Sequence, residues 1–567
     1  MERETKRSRL FRILPIAGWL PDLTAITIRA DLVAGAALAG LLVPEGLAYA
    51  GIAGVAPEVG LYSAAAGLAV YALFGSSRHL AVTCTSGSAA MLAALIAPLA
   101  AGDAKRYAAL ASTVAIVAGC LFLLSSALKL GFVSEFISKP VLKGFVFGLG
   151  LTIMIKQGPK LLGIEKGHGD TLDRTWQMIV SLPTSNLWTV AVGAGALTVI
   201  FLLGAWAPRI PSALVVLVLG IVAVRYFGIE EHGVEIVGRV PTGLPHVGLP
   251  VVSRGDLEEL FAGAIGIVLI VYAEALAAGR TFAAKYKYEV IPNQELAAMG
   301  VANLVSGLMQ GIVVGGGMSG TAANSAGGAR SQLSAITTAL ICVLTLLFLM
   351  PLFQSLPEAV LGAIVIHAVW HLADMKEMRR LARLKTGSIW VALTAIAGVL
   401  VLGVLQGLIL SMCLTFAALL KKVSAPMDSV LGRLPGTGTF VDLAVHPKAE
   451  CVPGLLIFRP NGTLFFANAN RFSGRLRAAL KNTPGPIKEV ILNMEASPEI
   501  DVTVLDMLEQ LRRDLNEKGI ALAFARVSDS VRGLLDRSGF LERLGEGHVF
   551  WGVDSAVDAM TAMKLRS

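Results

Sequence analysis

Glu45-Gly46-Leu47-Ala48-Tyr49-Ala50-Gly51 returns in the second half of the chain as Glu274-Ala275-Leu276-Ala277-Ala278-Gly279. A second matched pair follows in the same order, Ser86-Gly87-Ser88-Ala89-Ala90 after the first copy and Ser319-Gly320-Thr321-Ala322-Ala323 after the second. In a chain rich in Ala and Gly, one match is within reach of chance; two in order, at similar spacing, make an internal repeat. Both copies lie in apolar surroundings. Mean hydropathy is +0.69, and only 16% of the 567 residues are Asp, Glu, Lys or Arg, against about 25% in soluble domains. A soluble protein this apolar would expose large hydrophobic patches and aggregate. Lipid must solvate most of the chain.

Spanning helices need about 20 apolar residues each. Candidate spans begin near Leu32, Gly60, Leu80, Tyr107, Ile137, Leu187 and Pro211, then near Leu257, Asn293, Met318, Gln332, Leu356, Ser388 and Gly403. An odd number of spans per repeat inserts the two copies in opposite orientations, the inverted-repeat plan of secondary transporters. The connector from Gly167 to Asn186 reads as polar, and another from Gly228 to Asp256 separates the two series. Residues 1–29 read as a basic cytosolic arm (Arg3, Lys6, Arg7, Arg9, Arg12) with no signal-peptide core behind it. Residues 30–423 read as the transmembrane domain and 436–563 as a soluble one. Lys and Arg after even-numbered spans, among them Arg78, Lys139, Lys143, Arg209, Arg330 and Lys385, place both termini in the cytosol. Lys105-Arg106 and two acid-diluted connectors run against this pattern. The net charge of +8 is therefore read as topology, with no nucleic-acid partner. Five cysteines show neither a disulfide framework nor zinc spacing.

The second matched pair carries the chemistry. Ala81-Val82-Thr83-Cys84-Thr85 before Ser86 is short, polar and β-leaning, and Val313-Val314-Gly315-Gly316-Gly317 before Ser319 makes a poor helix interior. Each reads as an extended lead-in to a helix that starts at mid-membrane. Such a helix N-terminus offers unpaired N–H groups and partial positive charge to an anion. Ser86, Ser88, Ser319 and Thr321 can add hydroxyls. Close packing of small residues is the competing explanation, and it does not account for the lead-ins. Glu45 and Glu274 are ionisable residues within spans, costly unless paired, hydrated or protonated. They read as proton-coupling groups, with Glu274 alternatively a sodium ligand; the competing reading is a static brace between helices. Pro44 and Gly46 predict a kink beside Glu45. His367 and His371 have the spacing of a metal pair but no third ligand. They read as interfacial histidines, and neither metal nor cofactor is expected.

Taken together, several motifs resemble the sulfate permease (SulP) family of anion transporters over nearly the whole chain. They are Val43-Pro44-Glu45-Gly46-Leu47-Ala48-Tyr49-Ala50, Pro57-Glu58-Val59-Gly60-Leu61-Tyr62 and Gly75-Ser76-Ser77-Arg78. Asn293-Gln294-Glu295-Leu296 with Gly300 and Asn303, and Gly328-Ala329-Arg330-Ser331-Gln332-Leu333-Ser334, complete the set. The resemblance implies about fourteen spans in two inverted repeats, divided into core and gate domains. It also implies third and tenth helices broken at the site, first and eighth helices lining it, and a homodimer in the inner membrane. The expected substrate-binding set is Glu45, Tyr49, Thr85, Ser86, Gly87, Ser88, Ser319, Gly320 and Thr321. Many members carry an arginine where Gly320 stands. Its loss weakens the case for a tightly held divalent anion and suits bicarbonate or chloride, with sulfate as the family default.

The soluble end alternates strand and helix. Strands are predicted at Leu455–Phe458, Thr463–Phe466, Val490–Met494 and Ala521–Ala525, with helices from Ala469, from Val504 to Asn516 and from Val527 to Arg537. It resembles a STAS domain, whose anti-sigma-factor-antagonist relatives are phosphorylated where Asp501-Val502-Thr503 lies. Thr503 with Asp506 here reads as a helix cap. The leading function is secondary active transport of a small anion of the sulfate, bicarbonate, chloride or dicarboxylate class. An anion channel of the same fold and a membrane-anchored STAS sensor are the alternatives. No nucleophile–base pair or phosphate loop supports an enzyme.

Overall fold

Hydrocarbon offers no water to backbone polar groups, so every segment must satisfy its own. The computed structural model describes residues 15–132, 139–165, 167, 171–207, 210–238, 243–370, 373–384, 388–424, 428–545 and 547–564. The basic cluster at the N-terminus, the span start at Ile137, and Arg209, His371 and Lys385 lie outside the described residues. The chain divides into two compact units, Met1–Thr415 and Phe416–Ser567, taken here one at a time.

The first repeat runs α1 (Ala25–Ala53), α2 (Pro57–Phe74), β1 (Val82–Thr83) into α3 (Ser86–Ala100), α4 (Ala104–Ala127), α5 (Lys139–Leu162), α6 (Thr171–Val180), α7 (Leu187–Trp206) and α8 (Ser212–Phe227). The second follows the same order: α9 (Arg254–Tyr286), α10 (Pro292–Leu308), β2 (Gly315–Gly316) into α11 (Met318–Ala326), α12 (Leu333–Leu344, continuing to Phe353), α13 (Glu358–Trp370), α14 (Met375–Arg383), α15 (Ser388–Leu402) and α16 (Val404–Val423). Among the described residues, eight helical stretches are long and apolar enough to cross a membrane, and α3, α8 and α15 are shorter apolar helices. The connector read as polar holds α6 instead, whose Leu172, Trp176, Ile179 and Val180 are exposed. Its polar residues hid an amphipathic helix. α14 takes the matching place in the second repeat.

The helices pack as two bundles. α1 to α4 pack with α9 to α12, while α5, α7, α8, α13 and α15 pack on one another. Glycines allow the closest crossings: a Cβ on Gly60 would collide with the Gly46 carbonyl, so α1 and α2 meet backbone to backbone. The extended lead-ins lack helical hydrogen bonds, and neighbouring side chains replace them. Asn303 of α10 donates to the Val314 carbonyl and accepts from the Val314 N–H, both at 2.9 Å. Ser306 donates to the Ile312 carbonyl at 2.7 Å, and Ser63 of α2 accepts from the Ile312 N–H at 2.8 Å. Before β1, Gln332 donates to the carbonyls of Ser77 and Leu80, and Asn324 to that of His79. The acidic motif residues are clamped in the same way. Glu295 accepts from Tyr71 Oη at 2.6 Å and from Ser76 N and Oγ at 2.9 and 2.7 Å. Asp31 accepts from Arg330 N, Ser331 N and Ser331 Oγ.

The second unit is a six-stranded sheet, with β3 (Asp428–Arg433), β4 (Phe440–Asp442), β5 (Leu455–Pro460), β6 (Glu489–Asn493), β7 (Ala521–Ala525) and β8 (Val549–Phe550) in the order β4-β3-β5-β6-β7-β8. β5 to β8 run parallel and β3 is antiparallel to both its neighbours. Its helices are α17 (Ala469–Asn482), α18 (Val502–Asn516), α19 (Asp529–Arg537), α20 (Phe540–Leu544) and α21 (Val553–Lys564). Strand alternation divides the core. Leu456, Phe458, Val490, Leu492 and Phe524 pack with residues of α17, α18 and α19, and Leu455, Ile457, Ile491 and Ala523 pack with residues of α21. Three sequence expectations are corrected. Thr463–Phe465 form an irregular loop that enters a turn at Phe466, tied by Asn468 and by Ser497 Oγ accepting from Leu464 N; their bulk anchors a loop. β3 begins before Gly436, in a stretch whose charges and glycine masked it. Asp501, not Thr503, caps α18, accepting from Val504 N at 2.9 Å, while Thr503 is exposed.

Candidate functional site

β1 and β2 pair antiparallel, Val82 opposite Gly316 and Thr83 opposite Gly315, so α3 and α11 leave the crossing in opposite directions with their N-termini beside it. A Cβ on Gly316 would stand 2.8 Å from Leu80 and 2.9 Å from Ala275, which accounts for glycine there. Thr85, in extended conformation, caps α3: its hydroxyl accepts from Ser88 N at 3.1 Å, and Ser88 Oγ accepts from Thr85 N at 3.0 Å. Ala89 N is bonded to the Thr85 carbonyl. The Ser86 and Gly87 N–H groups are left open. α11 starts at Gly317 with no side-chain cap, and its first intrahelical bond runs from Thr321 N to the Gly317 carbonyl. The N–H groups of Met318, Ser319 and Gly320 are left open. Two helix N-termini with open N–H groups, one partly capped by Thr85 and the other without a side-chain cap, therefore lie together.

They open on a cavity of about 450 Å³. One wall carries Glu45 and Tyr49 of α1, Thr85 and Ser86, Ser319 and Gly320, and Glu274 of α9. The other carries Leu142, Lys143 and Val146 of α5 and Ala368 of α13, from the second bundle. Ser88 and Thr321 stand behind the first wall with their hydroxyls engaged. Ser88 Oγ reaches the Thr85 and Val313 carbonyls, and Thr321 Oγ1 donates to the Gly317 carbonyl at 2.6 Å and accepts from Ala81 N at 3.2 Å. Both brace the crossing of the lead-ins. Gly87 lies against Glu274.

Glu45 is 5% exposed, and α1 continues unbroken through Pro44, which has no N–H to give the Gly40 carbonyl. No cationic side chain among the described residues is within ion-pair distance of Glu45 or Glu274. Glu295, clamped by three donors, is what a static bracing carboxylate looks like here. His367 packs edge-on to Phe201 at 5.2 Å, and no cluster of metal-binding side chains occurs among the described residues. Lys143 is the lining residue that the sequence reading missed, because it served there as a topology marker. Its position inside Val141-Leu142-Lys143-Gly144-Phe145-Val146, apolar on both sides, was the available signal.

The comparisons with known proteins agree with this architecture. Residues 28–395 match the sulfate permease family model and residues 446–556 the STAS domain model. A protein named a probable sulfate transporter from Mycobacterium tuberculosis is 36% identical over 96% of this chain and 98% of its own length. High affinity sulfate transporter 2 of Stylosanthes hamata is 31% identical over 96% of this chain and 86% of its own. The structure of the murine solute carrier 26 family member A9 anion transporter, in the inward-facing state, superposes with a TM-score of 0.90 at 22% identity, covering 98% of this chain and 95% of that one. The transmembrane domain of a cyanobacterial bicarbonate transporter gives 0.61 at 25% identity, covering 69% and 98%. Its membrane helices, its terminal sheet domain and its relatives along nearly its full length agree, and the chain belongs to the sulfate permease family of multi-pass anion transporters.

Proposed function

We propose that the protein is a secondary active transporter that takes up a small oxyanion, sulfate first among them, together with protons. The observation that carries this reading is the pair of helix N-termini with open N–H groups, α3 capped only at Ser88 N and α11 without a side-chain cap, sharing one cavity with Glu45 and Glu274. Two helix ends contribute roughly +1 in all, and two ionised carboxylates contribute −2. That wall repels an anion until a carboxylate is protonated, so each ligand favours binding of the other. Glu45 is the coupling residue, and Glu274 is its counterpart or a sodium ligand. Sulfate is chosen because the relatives at 36% and 31% identity carry that name. The transporter sits as a homodimer in the inner membrane with both termini in the cytoplasm, and the C-terminal sheet unit, from β3 onward, is a regulatory STAS domain.

The test is uptake into proteoliposomes of labelled sulfate, bicarbonate, chloride and a dicarboxylate, with and without an inward proton gradient. Accumulation of sulfate above equilibrium, driven by the gradient, is the expected result. Gradient-independent flux that follows voltage alone would make the protein a channel.

A further inference from the structure

We infer that Lys143 is the fixed positive charge of the anion site, supplied from the second bundle, and that it sets the preference for divalent over monovalent anions. This rests on the anion lying at the ends of α3 and α11, as proposed above. Gly320 contributes no side chain to that place; a Cβ there would already stand 3.3 Å from Ala81 and 3.4 Å from Leu42. A side-chain charge at the site would have to come from another element. Lys143 is the one cationic side chain among the described residues lining the cavity. It is on α5, in the second bundle, with Leu142 and Val146 lining the same cavity.

Lys143 has no acidic partner within ion-pair distance among the described residues, although two carboxyl groups line the same cavity. An ammonium group inside a membrane protein is costly unless hydrated or paired. Lys143 is exposed to the cavity's solvent, so water solvates its head until an anion entering the cavity takes that place. With Lys143 counted, the helix ends and the two ionised carboxylates come to about zero, and each proton bound adds one positive charge. One proton then matches a monovalent anion and two match a divalent one. The competing reading is a lysine whose stem packs along the helix and whose head merely reaches the aqueous boundary.

The experiment measures affinity of the purified full-length protein for sulfate and for chloride. The variants are Lys143→Gln, Lys143→Met, Lys143→Arg, Lys143→Gln with Gly320→Arg, and Ser319→Trp as a control that fills the helix-end site. Lys143→Gln should weaken sulfate roughly ten- to a hundredfold, the size of a lost charge-assisted hydrogen bond. Chloride should lose about the square root of that factor, because Coulomb energy scales with charge. Lys143→Arg should keep sulfate affinity, and Gly320→Arg should restore part of it. Lys143→Met repeats the test should the glutamine variant fold poorly. Equal losses for both anions, or unchanged sulfate affinity while Ser319→Trp abolishes binding, would overturn the role of Lys143 and leave the site standing. Ser319→Trp without effect would remove the site itself. A wild type that binds chloride but not sulfate would also overturn the inference.

Discussion

A Cβ on Gly87 would lie 3.3 Å from one carboxylate oxygen of Glu274 and 3.4 Å from the other, so the carboxyl group of α9 rests on the first turn of α3. That turn has open N–H groups, and a carboxylate there is favoured by the helix dipole. Glu274 thus occupies the end that the proposed substrate would use. Gly87→Ala should push the flexible Glu274 side chain aside without disturbing the fold. The expected result is a change in anion KM of about three- to tenfold, or roughly 0.7–1.4 kcal/mol, with the melting temperature held. Unchanged KM at every pH would show that the contact is incidental.

Asn303 tests the scaffold instead of the site. Its side-chain amide satisfies both backbone groups of Val314, a residue with no exposed surface. Asn303→Leu keeps the volume and strands both groups, at about 1–3 kcal/mol each. A large fall in thermal stability in detergent is expected, with little protein recovered. A variant as stable as the wild type would mean that the lead-in finds its bonds elsewhere.

These two residues also show what was legible in the sequence. Span starts, the repeat and the extended lead-ins were readable because hydropathy, glycine and β-branched residues act locally. Asn303 was visible only as part of a family motif; its partner Val314 was not, since that pairing depends on how α10 folds back on the lead-in. The capping role of Asp501 was missed for a related reason. Its second oxygen accepts from Phe466 N at 2.6 Å, a loop contact that local pattern does not encode. Lys143 was misplaced because hydropathy treats a cation as a boundary, and only packing shows that the helix carries it to the cavity wall.

Glu509, in the C-terminal unit, gives a pH prediction. Arg512 grips it through two nitrogens at 2.9 and 3.2 Å, and Arg513 and Arg543 add further contacts. Its carboxyl is thereby pushed down to about 2, chiefly by Arg512. An unfolded glutamate titrates near about 4.3. The folded value is the lower one, so the stabilisation is fully present above about 4.3 and is lost as pH falls toward 2. Glu509→Gln should lower the melting temperature at pH 7, and the gap from wild type should narrow below pH 4. A gap that is constant with pH would assign the effect to packing.

Glu45 carries the coupling prediction. It opens the repeated motif on α1, is 5% exposed, and lies on the cavity wall with Tyr49 and Ser319. No cation is paired with it among the described residues, so its negative charge opposes any anion held at the two helix ends. Binding a proton would remove that opposition, which is how the proposed coupling would work in physical terms. Glu45→Gln keeps the shape and hydrogen-bonding capacity of the protonated acid and cannot release a proton. The variant should therefore bind anion and exchange it across liposomes at a rate within about tenfold of wild type, since one interaction of roughly 1.4 kcal/mol is at stake. It should lose stimulation by an inward proton gradient. Glu274→Gln, measured alongside, decides whether a second proton is carried: loss of gradient-driven sulfate accumulation with chloride transport intact is the expected pattern. If Glu45→Gln still accumulates anion against its gradient when the proton gradient is imposed, Glu45 is not the coupling residue and the proton enters elsewhere.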